Sequence, residues 1–176
     1  MKVLVTGASG FVGGRISEFL QKKNLTLIKT SRKKIPSFKK INWKSNNSLD
    51  SLLHNTDVVI NCIGADVHCS NNLKKAKLLN ITYPKKIYKA AIRNNVKLFI
   101  YISTYHVYDF DKKIINEKSK IKIKDNHTKS KILGEKELKK ISKNETKLLI
   151  IRSCNLFGKA KFKNKNSEKL LISSLV

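Results

Sequence analysis

Short apolar runs rich in β-branched residues alternate with longer amphipathic stretches along this chain. That alternation is typical of βαβ units, in which helices cover both faces of one parallel sheet. Two of the runs, 58–62 and 98–102, are almost continuously apolar, as strands buried on both faces should be. The pattern predicts an α/β fold with a doubly wound parallel sheet of six strands, the third of them weak, at 2–5, 26–30, 40–43, 58–62, 98–103 and 147–152.

Four helices are predicted between these strands, at 11–23, 48–54, 73–94 and 129–143. The third has apolar residues at helical spacing, which predict a buried stripe of Leu78, Ile81, Ile87, Ala90 and Ala91. Pro84 should bend this helix near its start, because proline has no amide hydrogen to donate. The segment 109–126 has no clear period and predicts a long loop, and 159–169 predicts an exposed basic tail.

The charge of the chain is strongly one-sided. Its 176 residues favour a single domain, and 38 Lys and Arg residues against 12 Asp and Glu give a net charge of +26, which attracts polyanions. Only four of the basic residues are arginine, however, and the lysines are scattered over every segment. Specific readers of nucleic acid usually concentrate arginine and interleave aromatic residues. We therefore expect a solvated basic surface that binds DNA nonspecifically at low salt and no specific nucleic-acid partner.

The three cysteines, Cys62, Cys69 and Cys154, lack the number and spacing of a zinc site or a disulfide framework, so no metal is expected. The apolar run at the start of the chain is cut by Thr6 and Gly7, which makes it too short for a signal peptide. No later stretch approaches the length of a membrane span. These features predict a cytoplasmic protein without a membrane span.

A glycine-rich turn at 6–13 follows the first predicted strand and opens the first predicted helix. This order directs a helix N-terminus, with its free amide groups and positive dipole, at an anion such as a phosphate. Gly7 permits the tight turn, Gly10 lets a pyrophosphate approach the backbone, and Gly13 lets helix and strand pack closely. The turn is therefore predicted to bind a dinucleotide, NAD(P), through Gly7, Ser9, Gly10, Phe11, Val12 and Gly13.

The end of the second predicted strand carries Ser31 and Arg32, where proteins that bind NAD place an acidic residue for the adenosine ribose. An arginine at this point could pair with the 2′-phosphate of NADP. We expect Ser31 and Arg32 to contact the cofactor and favour NADP, with NAD as the alternative. The abundance of basic residues in the whole chain is a competing explanation for Arg32.

Several segments together carry a resemblance to a known family; they are the turn at 6–13, the strings at 57–65, 102–108, 129–135 and 151–158, and Asn80. They resemble the extended short-chain dehydrogenase/reductase family, also called NAD-dependent epimerases/dehydratases, which act on nucleotide sugars. Within it they look most like nucleotide-sugar reductases of the dTDP-4-dehydrorhamnose type, although Tyr105 stands where those carry an acidic residue. The resemblance implies a Rossmann-like domain in which Ile63, Gly64 and Ala65 contact the cofactor and Asn155 contacts the sugar substrate.

The same resemblance implies the catalytic residues. In this family a Ser or Thr binds the substrate oxygen, a Tyr exchanges a proton, and a Lys four residues later holds the nicotinamide ribose. Thr104 and Lys131 match the first and last of these, but His127 occupies the place of the Tyr. Histidine can exchange protons near neutral pH, yet the ammonium group of Lys131 disfavours its protonated form. A histidine-based variant of the mechanism and a reduced or lost activity both stay open.

Members of the family continue beyond the sixth strand into a substrate-binding lobe, whereas this sequence ends at Val176. We expect an NAD(P)-binding domain at 1–158 and a truncated start of the substrate-binding region at 159–176, with the lobe largely missing. The chain would then be a fragment or a shortened relative. The last strand would be an uncovered edge, which predicts a homo-oligomer or a covering partner.

Three hypotheses follow from the sequence. The first is an NADP-preferring oxidoreductase or epimerase that acts on a nucleotide-activated sugar, as in polysaccharide biosynthesis. The second is a catalytically silent NAD(P)-binding module, suggested by His127 and the missing lobe. The third is a basic nucleic-acid-binding protein, which would bind with a steep salt dependence and without regard to cofactor.

Overall fold

The computed structural model describes residues 1–32, 34–110, 114–142 and 145–158. Within them, six parallel strands form one sheet: β1 (Lys2–Thr6), β2 (Thr26–Thr30), β3 (Phe38–Lys39), β4 (Val58–Asn61), β5 (Leu98–Thr104) and β6 (Lys147–Ser153). Their order across the sheet is β3-β2-β1-β4-β5-β6, so the chain reverses its direction of winding between β1 and β4. Such sheets bind ligands at this reversal, beyond the carboxyl ends of the strands. The predicted doubly wound parallel sheet is confirmed.

Helices of this region cover both faces of the sheet; they are α1 (Phe11–Gln21), α2 (Asn46–Leu53), α3 (Val67–Ser70), α4 (Leu73–Lys77), α5 (Tyr83–Arg93) and α6 (Asn126–Ile141). Successive strand residues point to opposite faces. Val3 and Val5 pack with α1, whereas Leu4, Val59 and Phe99 form the main core with α2, α5 and α6. Among the described helices, none combines the length and the apolar character needed to span a membrane.

The last two strands have one uncovered apolar face. Leu148 and Ile150 of β6 pack against the main core, but Leu149 and Ile151 point to the opposite face and are 45% and 40% exposed. In the described residues no helix lies over them, because the cluster that α1 forms on that face includes residues of β1 to β4 only. Within the residues that the structure describes, the predicted uncovered edge at β6 is therefore accompanied by an uncovered face.

The third strand lies two residues earlier than predicted. β3 consists of Phe38 and Lys39, which pair with Lys29 and Thr30. The apolar residues that suggested a strand at 40–43 have other roles: Ile41 is buried in the main core, and Trp43 stacks on Tyr83.

The predicted third helix is interrupted. A π-helical turn at Leu78–Thr82 separates α4 from α5, and the short α3, which was not predicted, precedes them. Pro84 lies in the first turn of α5 and has no amide hydrogen for the carbonyl of Asn80, four residues earlier. That carbonyl instead accepts a hydrogen bond of 2.9 Å from the hydroxyl of Tyr101.

The π turn also shifts the buried stripe. Ile87, Ala90 and Ala91 are buried as predicted, but Leu78 is 39% exposed and Leu79 is buried in its place. A π turn holds an extra residue, which rotates the preceding helical face by about one position.

The last helix begins three residues before the predicted start at 129. Asp125 caps it: its carboxylate accepts from the amide of Thr128 at 2.7 Å, and Thr128 Oγ1 accepts from the amide of Asp125 at 3.0 Å. The described part of the predicted loop is confirmed as irregular and is fixed by a single antiparallel bridge between Tyr108 and Ile121. The predicted tail at 159–169 lies outside the described residues.

Candidate functional site

The turn after β1 is shaped by its glycines. Gly7 has a φ of 66°, which favours glycine, and its carbonyl accepts from the amide of Gly10 at 2.9 Å. A Cβ atom on Gly13 would collide with the carbonyl of Gly7, so α1 can approach the turn this closely only with glycine there. Gly10 caps α1 without a side chain, and the first amides of the helix are left to an outside acceptor. These features fit a phosphate.

Beyond this turn lies a groove of about 520 Å³ at the carboxyl ends of β1, β2 and β4. Seven of the residues predicted to contact a cofactor line it: Gly7, Ser9, Gly10, Ser31, Arg32, Ile63 and Gly64. The structure thus joins three segments that are far apart in sequence, at the winding reversal where such folds bind ligands.

Four other predicted cofactor residues lie behind the lining. Phe11 and Val12 are half-buried in the first turn of α1, and Gly13 packs against Gly7. Ala65 is buried, and its amide donates to Asn80 Oδ1 at 2.9 Å.

The charged side chains in the lining are mostly basic. They are Arg32, Lys40 and Lys75, with Asp66 as the single acidic lining residue among those described. At the β2 end of the groove, Ser31 and Ser9 meet through a hydroxyl–hydroxyl bond of 2.8 Å. A groove with this charge favours an anionic ligand.

Two aromatic rings lie at the same groove. Trp43 and Tyr83 stack with their centroids 3.7 Å apart and their planes 9° from parallel, and both line the cavity. Together with Lys40 and Lys75 they were not foreseen from the sequence. Lys40 and Trp43 lie in the segment that was predicted as the third strand, and no pattern in the sequence indicated Lys75 or Tyr83.

At the other end of the groove, Gly64 lies over the side chain of Lys131. A Cβ atom on Gly64 would come within 3.0 Å of Lys131 Nζ and 3.2 Å of Asn80 Oδ1. Lys131 Nζ donates to the carbonyl of Ile102 at 2.9 Å. Burial lowers the pKa of Lys131 to about 8, opposed by the nearby Cys62 and Glu135. Burial also raises the pKa of the Cys62 thiol to about 12, which makes it a packed apolar group and a poor nucleophile.

Asn80 connects this end of the groove to α6. Its side chain accepts from Ala65 and donates to Ser130 Oγ at 2.8 Å. A Cβ atom on Gly134 would collide with the Asn80 carbonyl, so a glycine is required where α6 crosses the π turn. The sequence resemblance included Asn80 but gave it no role.

His127 and Lys131 lie on one face of α6, and both are buried. His127 Nδ1 is 3.3 Å from Ser70 Oγ. The pKa of His127 is lowered, mainly by burial and next by the charge of Lys131, which is the effect expected from the sequence. The imidazole is therefore mostly neutral near pH 7.

Thr104 ends β5 and is nearly buried; its hydroxyl accepts from the amide of His106 at 3.3 Å. His106 in turn lies 3.3 Å, by Nε2, from the side-chain oxygen of Asn155. Thr104 and the exposed Asn155 thus lie on either side of His106. The electrostatic interaction between His106 and His127 disfavours the protonated form of His127.

Comparison with known proteins gives a consistent result. The model of the NAD-dependent epimerase/dehydratase family matches residues 3–175. No curated protein sequence matches the chain significantly. Among solved structures, a dTDP-4-dehydrorhamnose reductase from Clostridium acetobutylicum is 26% identical with a TM-score of 0.70, over 85% of this chain and 52% of the other.

Two Bacillus cereus enzymes share the fold. A UDP-glucuronic acid 4-epimerase in complex with NAD is 20% identical, with a TM-score of 0.75 over 92% of this chain and 58% of the other. A UDP-N-acetylglucosamine 4-epimerase is 22% identical, with a TM-score of 0.82 over 99% and 65%. The chain thus spans between half and two thirds of these structures. With nearly its whole length matched by one family model, the chain belongs to the NAD-dependent epimerase/dehydratase family.

Proposed function

We propose that this chain binds NADP and provides the proton-transfer and substrate-binding groups for hydride transfer at a carbon of a nucleotide-activated sugar. The observation that carries the proposal is the continuous groove, whose lining includes Arg32, the glycine turn and Gly64, which lies above Lys131. In NADP the pyrophosphate lies between two ribose-linked rings, and a further phosphate is attached to the adenosine ribose, so a groove with an anion-binding turn at its middle and an arginine at one end suits it.

The residues of the groove fit such a cofactor. The glycine turn and the uncapped N-terminus of α1 would hold the pyrophosphate. Arg32 and Lys40 would pair with the 2′-phosphate that distinguishes NADP from NAD, and Lys131 would hold the nicotinamide ribose. When bound, the nicotinamide would supply or accept the hydride.

The chemistry left to the chain concerns one oxygen of the sugar. Thr104, at the end of β5, would donate a hydrogen bond to that oxygen, and His127 would exchange the proton that accompanies hydride transfer. The substrate class is proposed from family membership and from the nucleotide-sugar enzymes with which the fold is shared.

A fluorescence titration with NADPH and NADH at moderate salt tests cofactor binding. Saturable binding with NADPH preferred is the expected result, and binding of neither would overturn the proposal. Gly10→Val is the matched variant: a side chain there narrows the turn, since even a Cβ atom would lie 3.2 Å from the Gly7 carbonyl. The variant should lose affinity for both cofactors and still unfold cooperatively.

A second candidate function is a catalytically silent cofactor-binding module. The observation that favours it is the environment of His127, whose burial and proximity to Lys131 make the protonated, proton-donating form scarce. His127→Tyr restores the residue type of the family and separates the two candidates, with His54→Tyr at an exposed position as control. Turnover of dTDP- or UDP-linked 4-keto sugars by the unmodified chain supports the enzyme. Turnover by the His127→Tyr variant alone supports the silent module.

A further inference from the structure

A buried hydrogen bond joins two residues that come from different parts of the chain. Ser70 closes the short helix α3 and is 1% exposed, and His127 in the first turn of α6 is 8% exposed. Ser70 Oγ lies 3.3 Å from Nδ1 of the imidazole. Either atom could be the donor, so the direction of this bond decides which ring nitrogen carries the proton of a neutral His127.

The direction follows from the other bond of the serine. Ser70 Oγ is 2.7 Å from the backbone carbonyl of Asp66, which can only accept. A serine hydroxyl has one hydrogen, and this carbonyl takes it. Toward His127 the same oxygen can then only accept, and the tautomer with the proton on Nδ1 is the one that makes this hydrogen bond.

The serine is held in place by its own helix. The amide of Ser70 donates to the same Asp66 carbonyl at 2.9 Å, and the Asp66 carboxylate caps α3 by accepting from the amide of Cys69 at 2.7 Å. A carbonyl oxygen has two lone pairs, so it can accept from the amide and the hydroxyl together. The acceptor that faces Nδ1 is therefore held by contacts within α3 and its cap, without help from α6.

From this geometry we infer that Ser70 is a positioning residue, which keeps the single proton of neutral His127 on Nδ1 and leaves Nε2 as the nitrogen that exchanges a proton with the substrate. The assignment of Nε2 to the substrate depends on the proposed function, whereas the tautomer does not. When a sugar hydroxyl is oxidised, its O–H bond breaks and an Nε2–H bond forms, while the hydrogen on the same carbon leaves as hydride to the oxidised cofactor. The imidazolium returns the proton in the reverse direction.

The charged and polar groups around the ring are consistent with a neutral imidazole. Lys131 on the same helix and His106 after β5 disfavour a second proton, as does burial. Asp125 at the helix start and the carbonyl of Ala65 after β4 favour the doubly protonated ring, but burial and the two neighbouring charges outweigh them. Of the two tautomers of a ring with one proton, the one with the proton on Nδ1 matches the acceptor that Ser70 Oγ presents.

Long-range ¹H–¹⁵N correlation spectra of the ¹⁵N-labelled chain at neutral pH test the tautomer without cofactor or substrate, because imidazole nitrogen shifts separate the two forms. His127→Gln identifies the resonances among those of the other histidines, His54, His68 and His106. The expected result is a protonated Nδ1 in the unmodified chain. A ring protonated mainly on Nε2 overturns the inference, even if no serine variant folds.

Substitution of the serine gives the second arm. Ser70→Ala should lower the Nδ1–H population, Ser70→Thr should restore it, and Ser51→Ala, at an exposed position, should leave it unchanged. An unchanged tautomer in folded Ser70→Ala overturns the role of Ser70.

In an active preparation Ser70→Ala should lower kcat by about tenfold, part of the roughly 10²–10⁴ that a positioned acid–base group contributes, with NADPH affinity unchanged. If the tautomer is as expected and no sugar is turned over, the proposed function fails and the assignment of the proton stands.

Discussion

Arg152 on β6 binds Glu135 on α6 through two guanidinium nitrogens, with Nε 3.1 Å from Oε1 and Nη2 2.6 Å from Oε2 of the carboxylate. Both side chains are largely buried, and Ser103 on β5 donates to the same carboxylate at 2.6 Å. The hydrogen bonds to Glu135 hold the pKa of Arg152 above its usual value. This pair ties the last strand to the helix that carries His127 and Lys131.

Glu135→Gln should therefore destabilise the fold by roughly 3 kcal/mol or more, because it leaves the arginine in a buried position without its counter-charge. Urea unfolding at pH 7 measures the change. Glu137→Gln is the matched control on the same helix, since Glu137 pairs with Lys85 and Lys140 at the surface and should matter little. Equal urea midpoints for the two variants would show that the Glu135–Arg152 pair does not stabilise the fold.

The ammonium group of Lys131 makes a second prediction, about pH. Its pKa is about 8 in the folded chain, against 10.5 for a lysine in water, so between these values the unfolded chain binds more protons. Lys131 should therefore contribute stability that rises with pH across this window, by on the order of 3 kcal/mol at about 1.4 kcal/mol per pKa unit. Lys131→Met removes the titrating group and should remove this contribution.

The measurement is the difference in unfolding free energy between the native chain and Lys131→Met, followed from pH 7 to about pH 10.5, where an unfolded lysine titrates. Titrating groups that do not interact with Lys131 cancel in the difference. Lys129→Met, at an exposed position on the same helix, is the control for replacing a lysine there by methionine. A flat difference for Lys131→Met would mean that the lysine is solvated in the folded chain.

The sheet was readable from the sequence because buried parallel strands need continuous apolar runs, and β2 lies where it was predicted. β3 was misplaced because a strand of two residues leaves almost no pattern, while Ile41 and Trp43 are apolar for packing and stacking. A π turn has no residue pattern that distinguishes it from an α-helix, and only Pro84 indicated an irregularity in this helix. The start of α6 is polar because His127, Thr128 and Ser130 are buried for their hydrogen bonds, which hides the apolar period on which the prediction depended.

The glycine turn could be predicted because its residues are consecutive in sequence and each glycine has a local reason. Ser70 could not be predicted, since its contact with His127 joins residues 57 apart and depends on how α3 packs against α6. Lys40 and Trp43 depend in the same way on the path of the chain after β3. Contacts between side chains of different helices and strands cannot be predicted without the tertiary structure.

Cofactor preference gives the third prediction. Arg32→Ala should weaken NADPH binding by about tenfold and leave NADH binding almost unchanged, because a charge-assisted contact to a phosphate contributes about 1.5 kcal/mol and only NADPH carries the 2′-phosphate. Fluorescence titration with each cofactor measures both affinities. Lys34→Ala removes the same charge at a position that does not line the groove, so it should change neither. If Arg32→Ala lost the same affinity for both cofactors, Arg32 would act through its general positive charge and would not select NADP.

The uncovered face of β6 makes the last prediction. Leu149 and Ile151 expose apolar surface beside the edge of the sheet, and such surface favours association with a second copy. The chain should therefore form oligomers whose population rises with concentration, as measured by light scattering after size exclusion.

Ile151→Lys should shift this equilibrium toward the monomer, because a charge on that face must be desolvated when the face is covered. Ile123→Lys, at an exposed position in the loop before α6, should leave the equilibrium unchanged. Oligomers that persist in Ile151→Lys would place the contact elsewhere, and a chain that is monomeric at high concentration would mean that the net charge of +26 outweighs the apolar attraction.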